Sequence, residues 1–283
     1  METRNKTILV TGASSGIGNA ISAHLAKRGY CVLATVRKET DIIKLNQLGY
    51  ENLKPVCPLD FTNQTQIVSV AQSTIEKIHN HELPPLYAII FVAGGGHIAP
   101  IELMNINNFR DELEKRLVGT IVLLQKFIPL LRQTKGRVFW IATPGLFPIP
   151  YVTDIHAPDF AVNYLARTLN IELRPDGIKN ILIRCGGIDT ESPKRTEKNI
   201  VEQIIGFPEH LIDIYRSRLK KTENDLEKFG TKRTPPEKVA VLIAKVLTVK
   251  NPKVRYQIGH MSRMGAFFEK LPQSWVDFIM KLR

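Results

Sequence analysis

Thr11-Gly12-Ala13-Ser14-Ser15-Gly16-Ile17-Gly18 is the stretch on which the reading of the fold turns. Immediately before it, Lys6-Thr7-Ile8-Leu9-Val10 is an apolar, β-branched run that predicts a strand. Immediately after it, residues 16–29 place small and apolar side chains at helical spacing and end on Gly29, a helix stop signal. Glycines between a strand and a helix allow a tight turn and a close backbone approach to a pyrophosphate. The helix start adds unpaired N–H groups and the positive end of a dipole. A lone glycine motif is weak, but this one sits in the strand–turn–helix context that gives it meaning. Gly12, Gly16 and Gly18 are therefore expected to cradle the phosphates of a dinucleotide.

Working outward, the same alternation repeats. Strands are predicted at 31–36, 52–60, 86–94, 136–142 and 180–187, the one at 86–94 continuously apolar, as a strand covered on both faces should be. Helices are predicted near 41–49, over 64–80, over about 101–133 and over about 155–175. This predicts one α/β domain over residues 1–283, a doubly wound parallel sheet of about seven strands with helices on both faces. The rhythm changes after Gly187. Residues 191–230 are charged and strandless, too long for a bare connection, and are expected to fold as a helical lid over the carboxyl edge of the sheet. A helix from Pro235-Pro236 and a late strand at Lys253–Gly259 follow. The bulky C-terminal side chains (Phe267, Phe268, Leu271, Trp275, Val276, Phe278, Ile279) are expected to dock on their own domain. The readings beside it are a cover for the pocket, a contact between subunits, or, with Lys270, Lys281 and Arg283, contact with a membrane surface.

Composition bounds the rest. The 283 residues are 43% hydrophobic and 23% charged, the balance of a globular protein and too apolar for a disordered one. No apolar run approaches the ~20 residues of a transmembrane helix. The N-terminal residues lack the apolar core of a signal peptide, so a cytoplasmic location is the default expectation. Net charge is +12, with 20 Lys and Arg against 16 acids over residues 1–190 and 19 against 11 over 191–283. These cations are scattered among acids without a basic block or an aromatic platform, so nucleic acid is not an expected partner. Cys31, Cys57 and Cys185 form no CxxC pair and read as buried free thiols. His79, His81 and Glu82 do not make a convergent ligand set, and no metal is expected.

The glycine spacing TGxxxGxG, Leu59-Asp60-Phe61-Thr62-Asn63 after the third strand, Ala93-Gly94 and the order of elements resemble the short-chain dehydrogenase/reductase family over nearly the whole chain. Gly187-Ile188-Asp189-Thr190 and Lys253–Gly259 resemble the branch that acts on steroids, retinoids and related hydrophobic alcohols or ketones. The resemblance implies a Rossmann-type fold and a homo-oligomer, dimer or tetramer, built through the two long helices. By the same resemblance Ser14, Ser15 and Ile17 join the glycines around the phosphates and ribose. Asp60 and Phe61 meet the adenine, Ala93 and Gly94 lie beside the nicotinamide, and Ile188 and Thr190 meet its amide. The choice of cofactor has a physical argument. A site selective for NAD places an acid at the end of the second strand for the ribose 2′-hydroxyl. Here Ala34-Thr35-Val36 runs into Arg37 and Lys38, which suit a 2′-phosphate, so NADP(H) is expected over NAD(H).

The proton-transfer half of the family pattern is absent. The family's Tyr-x-x-x-Lys has no counterpart in either available register. One places Ile155 at the tyrosine and Asp159 at the lysine; the other places His156 and Phe160 there. Arg116 stands where the family has asparagine, and Thr143, or less directly Ala142, stands for its serine. Arg116 and Asp159 thus replace neighbouring family positions with opposite charges. They are expected either as a compensating ion pair or as working groups, Asp159 as acid or base and Arg116 for a carboxylate or oxyanion; a misaligned register would leave both exposed. His156 is a second proton-donor candidate or else an exposed residue at a helix start, Asp154 a helix cap, and the Thr143 hydroxyl a partner for a carbonyl or imine.

Three functions fit. The first is an NADP(H)-dependent reductase with a rebuilt site, acting on a small substrate with an activated C=N, C=C or carbonyl group. An iminium ion accepts hydride without needing a proton first. The second is a catalytically inactive relative that senses cofactor or binds a partner. The third is a non-redox cyclase or isomerase using Asp159, Arg116 or His156.

Overall fold

The computed structural model describes residues 5–92, 94–145, 147–197, 200–204 and 206–281. Its elements run β1 (Thr7–Val10), α1 (Gly16–Lys27), β2 (Cys31–Thr35), α2 (Glu39–Asn46), β3 (Leu53–Val56), α3 (Gln64–His79) and β4 (Leu86–Phe91). Then come α4 (Ile106–Leu113), α5 (Gly119–Thr134), β5 (Arg137–Ala142), α6 (Thr153–Glu172) and β6 (Lys179–Cys185). The chain continues with α7 (Glu191–Thr196), α8 (Glu209–Gly230), α9 (Pro236–Thr248), β7 (Arg255–Ile258), α10 (Ser262–Phe268) and α11 (Gln273–Lys281). The seven strands form one sheet in the order β3-β2-β1-β4-β5-β6-β7, every pairing parallel. The order reverses between β1 and β4, and the carboxyl edge beside that reversal is where ligands bind in open α/β sheets.

Two-residue alternation sorts each strand between two cores. On one face Leu9, Ile89, Phe91, Val138, Trp140 and Leu182 meet α3, α5 and α6 through Ile67, Leu123, Phe127 and Val162. On the other, Ile8, Val10, Ala88, Ile90, Phe139 and Ile183 meet α1, α2 and α9 through Ile21, Leu25, Leu45, Val239 and Ile243. Each such aliphatic side chain, fully buried, contributes about 1.5–3 kcal/mol.

A third cluster stands apart from both. Ile98, Ala99, Leu103 and Val152, at the carboxyl edge, bury against Ile200, Ile204, Ile212 and Leu219. Ile200, Ile204, Ile212 and Leu219 are thereby packed against the segment that follows β4 and the start of α6.

The long helix expected over 101–133 is not continuous. A 3-10 turn at Ile101–Leu103 and α4 precede a π-helical stretch, Glu114–Val118, which leads into α5. The widened turn carries Arg116, whose guanidinium is held by three partners. A continuous apolar pattern conceals such a break. The thiols also differ from expectation: Cys31 is buried, but Cys57 and Cys185 are only partly so, and all three are free. Among the described residues no helix is long and apolar enough to cross a membrane. The C-terminal helices dock through buried Ser262, Gly265 and Val276 and leave Phe267, Trp275 and Phe278 exposed.

Candidate active site

The phosphate-loop residues meet at the carboxyl ends of β1 and β4. Gly12 has φ +63°, and a Cβ there would lie 2.4 Å from the Val92 carbonyl oxygen. A Cβ on Gly18 would lie 2.2 Å from the carbonyl oxygen of Gly12, so the loop closes backbone against backbone. The Ala13 amide donates to the Thr35 carbonyl (3.0 Å), and the Thr11 hydroxyl accepts from the Val92 amide (2.9 Å). Ser15 precedes α1 in an extended conformation without a side-chain hydrogen bond to the first turn. The loop offers a backbone cradle at an uncapped helix start, which suits a phosphate.

The other expected cofactor residues surround this loop. Thr190 lies against Gly16, where a Cβ would sit 3.0 Å from its Cγ2. Ile188 is buried and bridges Thr234 through the Asp189 amide and Gly187 carbonyl, which turns its own amide and carbonyl the other way. Arg37 and Lys38 are exposed just past β2. Burial alone would raise the Asp60 pKa, but the Thr62 amide and hydroxyl outweigh this. With Arg37 nearby, they hold it below its ordinary value. Phe61 turns its ring inward, 6.4 Å from that of Phe91. Ala93 lies outside the described residues; Gly94 has open space where a side chain would begin.

Arg116 and Asp159 are brought together, buried at 6% and 3% relative exposure, which removes the exposed alternative. Arg116 Nη1 donates to Asp159 Oδ1 (2.7 Å), Nε to Glu112 Oε2 (2.9 Å) and Nη2 to the Gly95 carbonyl (2.6 Å). Asp159 Oδ2 accepts from the Thr143 amide (3.0 Å), and Lys115 reaches Glu112 Oε1 (3.4 Å). Burial would lower the Arg116 pKa; Asp159 and Glu112 more than offset it and keep the guanidinium charged. Both Asp159 oxygens are occupied. Beside them, burial and then Asp159 push the Cys185 thiol up to about 12.

Four buried polar atoms have no hydrogen-bond partner among the described residues: His24 Nε2 on α1 and, at this site, Thr143 Oγ1, His156 Nδ1 and Asp154 Oδ1. Such atoms are rare in native proteins and point to groups that a bound molecule would satisfy. His156 is not an exposed residue at a helix start: its ring packs on Phe160 at 5.6 Å. Burial lowers its pKa; Asp159 pulls the other way and Arg116 adds a lesser push down, so the net effect favours the neutral imidazole. Asp154 is not a cap either. It lies inside the first turn of α6, where its Oδ2 accepts from the His97 amide (2.8 Å) and faces His97 Nδ1 (3.3 Å).

Sequence reasoning missed the pair His97–Asp154, 57 residues apart, and Glu112 as the third member of the Arg116 cluster. A histidine directly after the glycines that follow β4 was the available signal. The Asp154 hydrogen bond raises the His97 pKa, against partial burial and Lys115, with help from Glu112; Asn108 Nδ2 faces the other ring nitrogen at 3.5 Å. A histidine with a raised folded-state pKa stabilises the fold below its unfolded pKa. That stabilisation is lost as pH rises through the folded value. The melting temperature of the wild type should therefore exceed that of His97→Gln by a few degrees at mildly acidic pH, with the gap closing above neutrality. A pH-independent gap would show that the pair does not titrate. His156 has the opposite sign, losing stability as pH falls, so a His156→Gln series separates the two.

Comparisons with known proteins agree with the fold. The family model described as short chain dehydrogenase matches residues 6–200. The chain is 29% identical over 290 residues to estradiol 17-beta-dehydrogenase 2 of Rattus norvegicus, covering 98% of this chain and 74% of that protein. In fold it is similar to a short-chain dehydrogenase from Streptomyces avermitilis, with a TM-score of 0.78 and 21% identity over 99% of this chain and 94% of that one. It is also similar to one from Burkholderia cenocepacia solved in complex with NADP, with a TM-score of 0.74 and 19% identity over 99% of both chains.

Proposed function

Because the chain belongs to the short-chain dehydrogenase family, we propose that it is an NADP(H)-dependent reductase of an already activated small substrate, an iminium ion above all. The observation that carries this reading is the saturated Arg116–Asp159–Glu112 cluster beside an intact phosphate loop. The loop at Gly12–Gly18, Thr190 and the backbone of Ile188 would hold the cofactor, and Arg37 and Lys38 would meet a 2′-phosphate. The Burkholderia relative's complex with NADP supports the same group. When bound, NADPH supplies a hydride.

Neither residue in the two registers of the family's tyrosine supplies a charged proton donor. His156 is held neutral, and Ile155 stands in the register of the family's tyrosine. A ketone gaining hydride needs a proton donor; an iminium does not. Glu112 and Asp159 face Lys115 and Arg116, and Asp154 faces His97, so the group carries one negative charge in excess while His97 is neutral, which favours a cation. The Thr143 hydroxyl, buried and unpartnered, is the neutral hydroxyl available to orient the substrate's heteroatom, beside the unpartnered His156 Nδ1 and Asp154 Oδ1. A non-redox role for Asp159 as base is disfavoured because both its oxygens are engaged. Exposed Tyr164 and Ile171 on α6 (73% and 75%) and Val118 before α5 suit a contact between subunits, so we infer a homo-oligomer.

The test is NADPH oxidation followed by nicotinamide absorbance with methylpyrroline, N-methyl dihydroisoquinolinium and acetophenone. Turnover of the imine or iminium but not of the ketone is expected, and Thr143→Val should lower kcat/KM by about tenfold. Equal turnover of acetophenone would refute the activated-substrate reading. Tight NADPH binding with no turnover of any probe would favour a cofactor-holding protein without catalysis, the reading that the saturated Arg116–Asp159 pair also fits.

A further inference from the structure

A groove of about 870 Å³ runs along α6 beneath α10 and α11, lined by none of the phosphate-loop residues. That volume lies in the range of ligand sites. Three aromatic rings supply its apolar wall. Phe147 and Phe268 have ring centroids 5.8 Å apart, and Phe160, whose ring centroid lies 5.6 Å from that of His156, lines the groove with them.

The polar wall is unbalanced. Arg167, Arg184, Arg255 and Lys270 line the groove against Glu269 and Asp277, an excess of two positive charges. Glu269 is already committed. Arg184, almost fully buried, donates to both its oxygens, and Arg255 approaches it at 3.6 Å. Among the described residues Arg167 and Lys270 have no ion-pair partner, and both are exposed at the groove's edge. The groove therefore couples an aromatic floor with two uncommitted cations and one carboxylate, Asp277, that has no ion-pair partner among the described residues.

From this we infer that the groove binds an anionic amphiphile, a molecule with an extended apolar body and a single carboxylate or phosphate head. The body lies over Phe147, Phe160 and Phe268, and the head meets Arg167 and Lys270, where a charge-assisted hydrogen bond is stronger than a neutral one. The site is separate from the cofactor end, so it stands or falls independently of the reductase reading.

The experiment titrates the full chain with dodecanoate, dodecyl phosphate and dodecanol below their micelle-forming concentrations, by calorimetry. Saturable one-to-one binding of at least one anion is expected, with dodecanol at least about tenfold weaker; the tighter of the two anions identifies the head. The variant Arg167→Glu/Lys270→Glu should weaken anion binding at least about tenfold and leave dodecanol and NADPH titrations unchanged. Both side chains are exposed, and Arg167→Gln/Lys270→Gln serves if the reversal impairs folding. Equal binding of dodecanol and the anions, unaltered anion binding in both double variants, or no saturable anion binding would each overturn the inference.

Discussion

Replacing Arg116 by Ala is expected to lower stability by about 3–5 kcal/mol, because two buried carboxylates, Glu112 and Asp159, lose their shared cation. For a chain of this size that is a fall in melting temperature on the order of 10 °C, read by thermal unfolding. Arg116→Met combined with Glu112→Gln and Asp159→Asn should recover much of the loss, since the penalty lies in the stranded charges more than in the missing attraction. A single variant that melts within about 2 °C of the wild type would show that water reaches the cluster and that its burial carries no energetic weight. The same variant bears on function. If the cluster merely fills space, NADPH should bind the folded variant as it binds the wild type.

Gly16→Asp should abolish cofactor binding without unfolding the protein. The substitution places a carboxylate at the first turn of α1, where the helix dipole welcomes a negative charge. Aspartate tolerates the positive φ of +55° better than most residues, and the contact with Thr190 Cγ2 requires a shift of a few tenths of an ångström. The expected stability cost is about 1–2 kcal/mol. The carboxylate would stand in the phosphate cradle, so NADPH affinity, measured by nicotinamide fluorescence, should fall at least about 100-fold. Unchanged affinity would remove the phosphate loop from the cofactor site.

The strands were legible because β1, β2, β4, β5 and β6 are apolar runs bounded by glycine, proline or polar residues, and their alternation pointed to a sheet covered on both faces. The break between α4 and α5 was hidden because a π-turn adds one residue without disturbing composition. In the site, Arg116 and Asp159 could be paired in advance because two family positions had exchanged chemistry together. Glu112 gave no such signal: an acid one helical turn before an arginine is ordinary on any exposed helix. Asp154 misled for a related reason. An acid near a helix start usually caps it, and only the path of the chain after β4 reveals that His97 claims its carboxylate.

The third hydrophobic cluster has a consequence for how the protein breathes. Its members come from the segment after β4, from the residues flanking the start of α6 and from residues 200–219, and they share few side chains with the two cores on the sheet. A cluster that small and separate can come apart while the sheet stays folded, as a cooperative unit of low free energy. Ile98 and Leu219 would then let go together, opening both walls of the crevice in a single event. Amide protons around Ile98 and along α8 would exchange with solvent in step with one another. Those of β1, β4 and β5 would be the last in the molecule to do so.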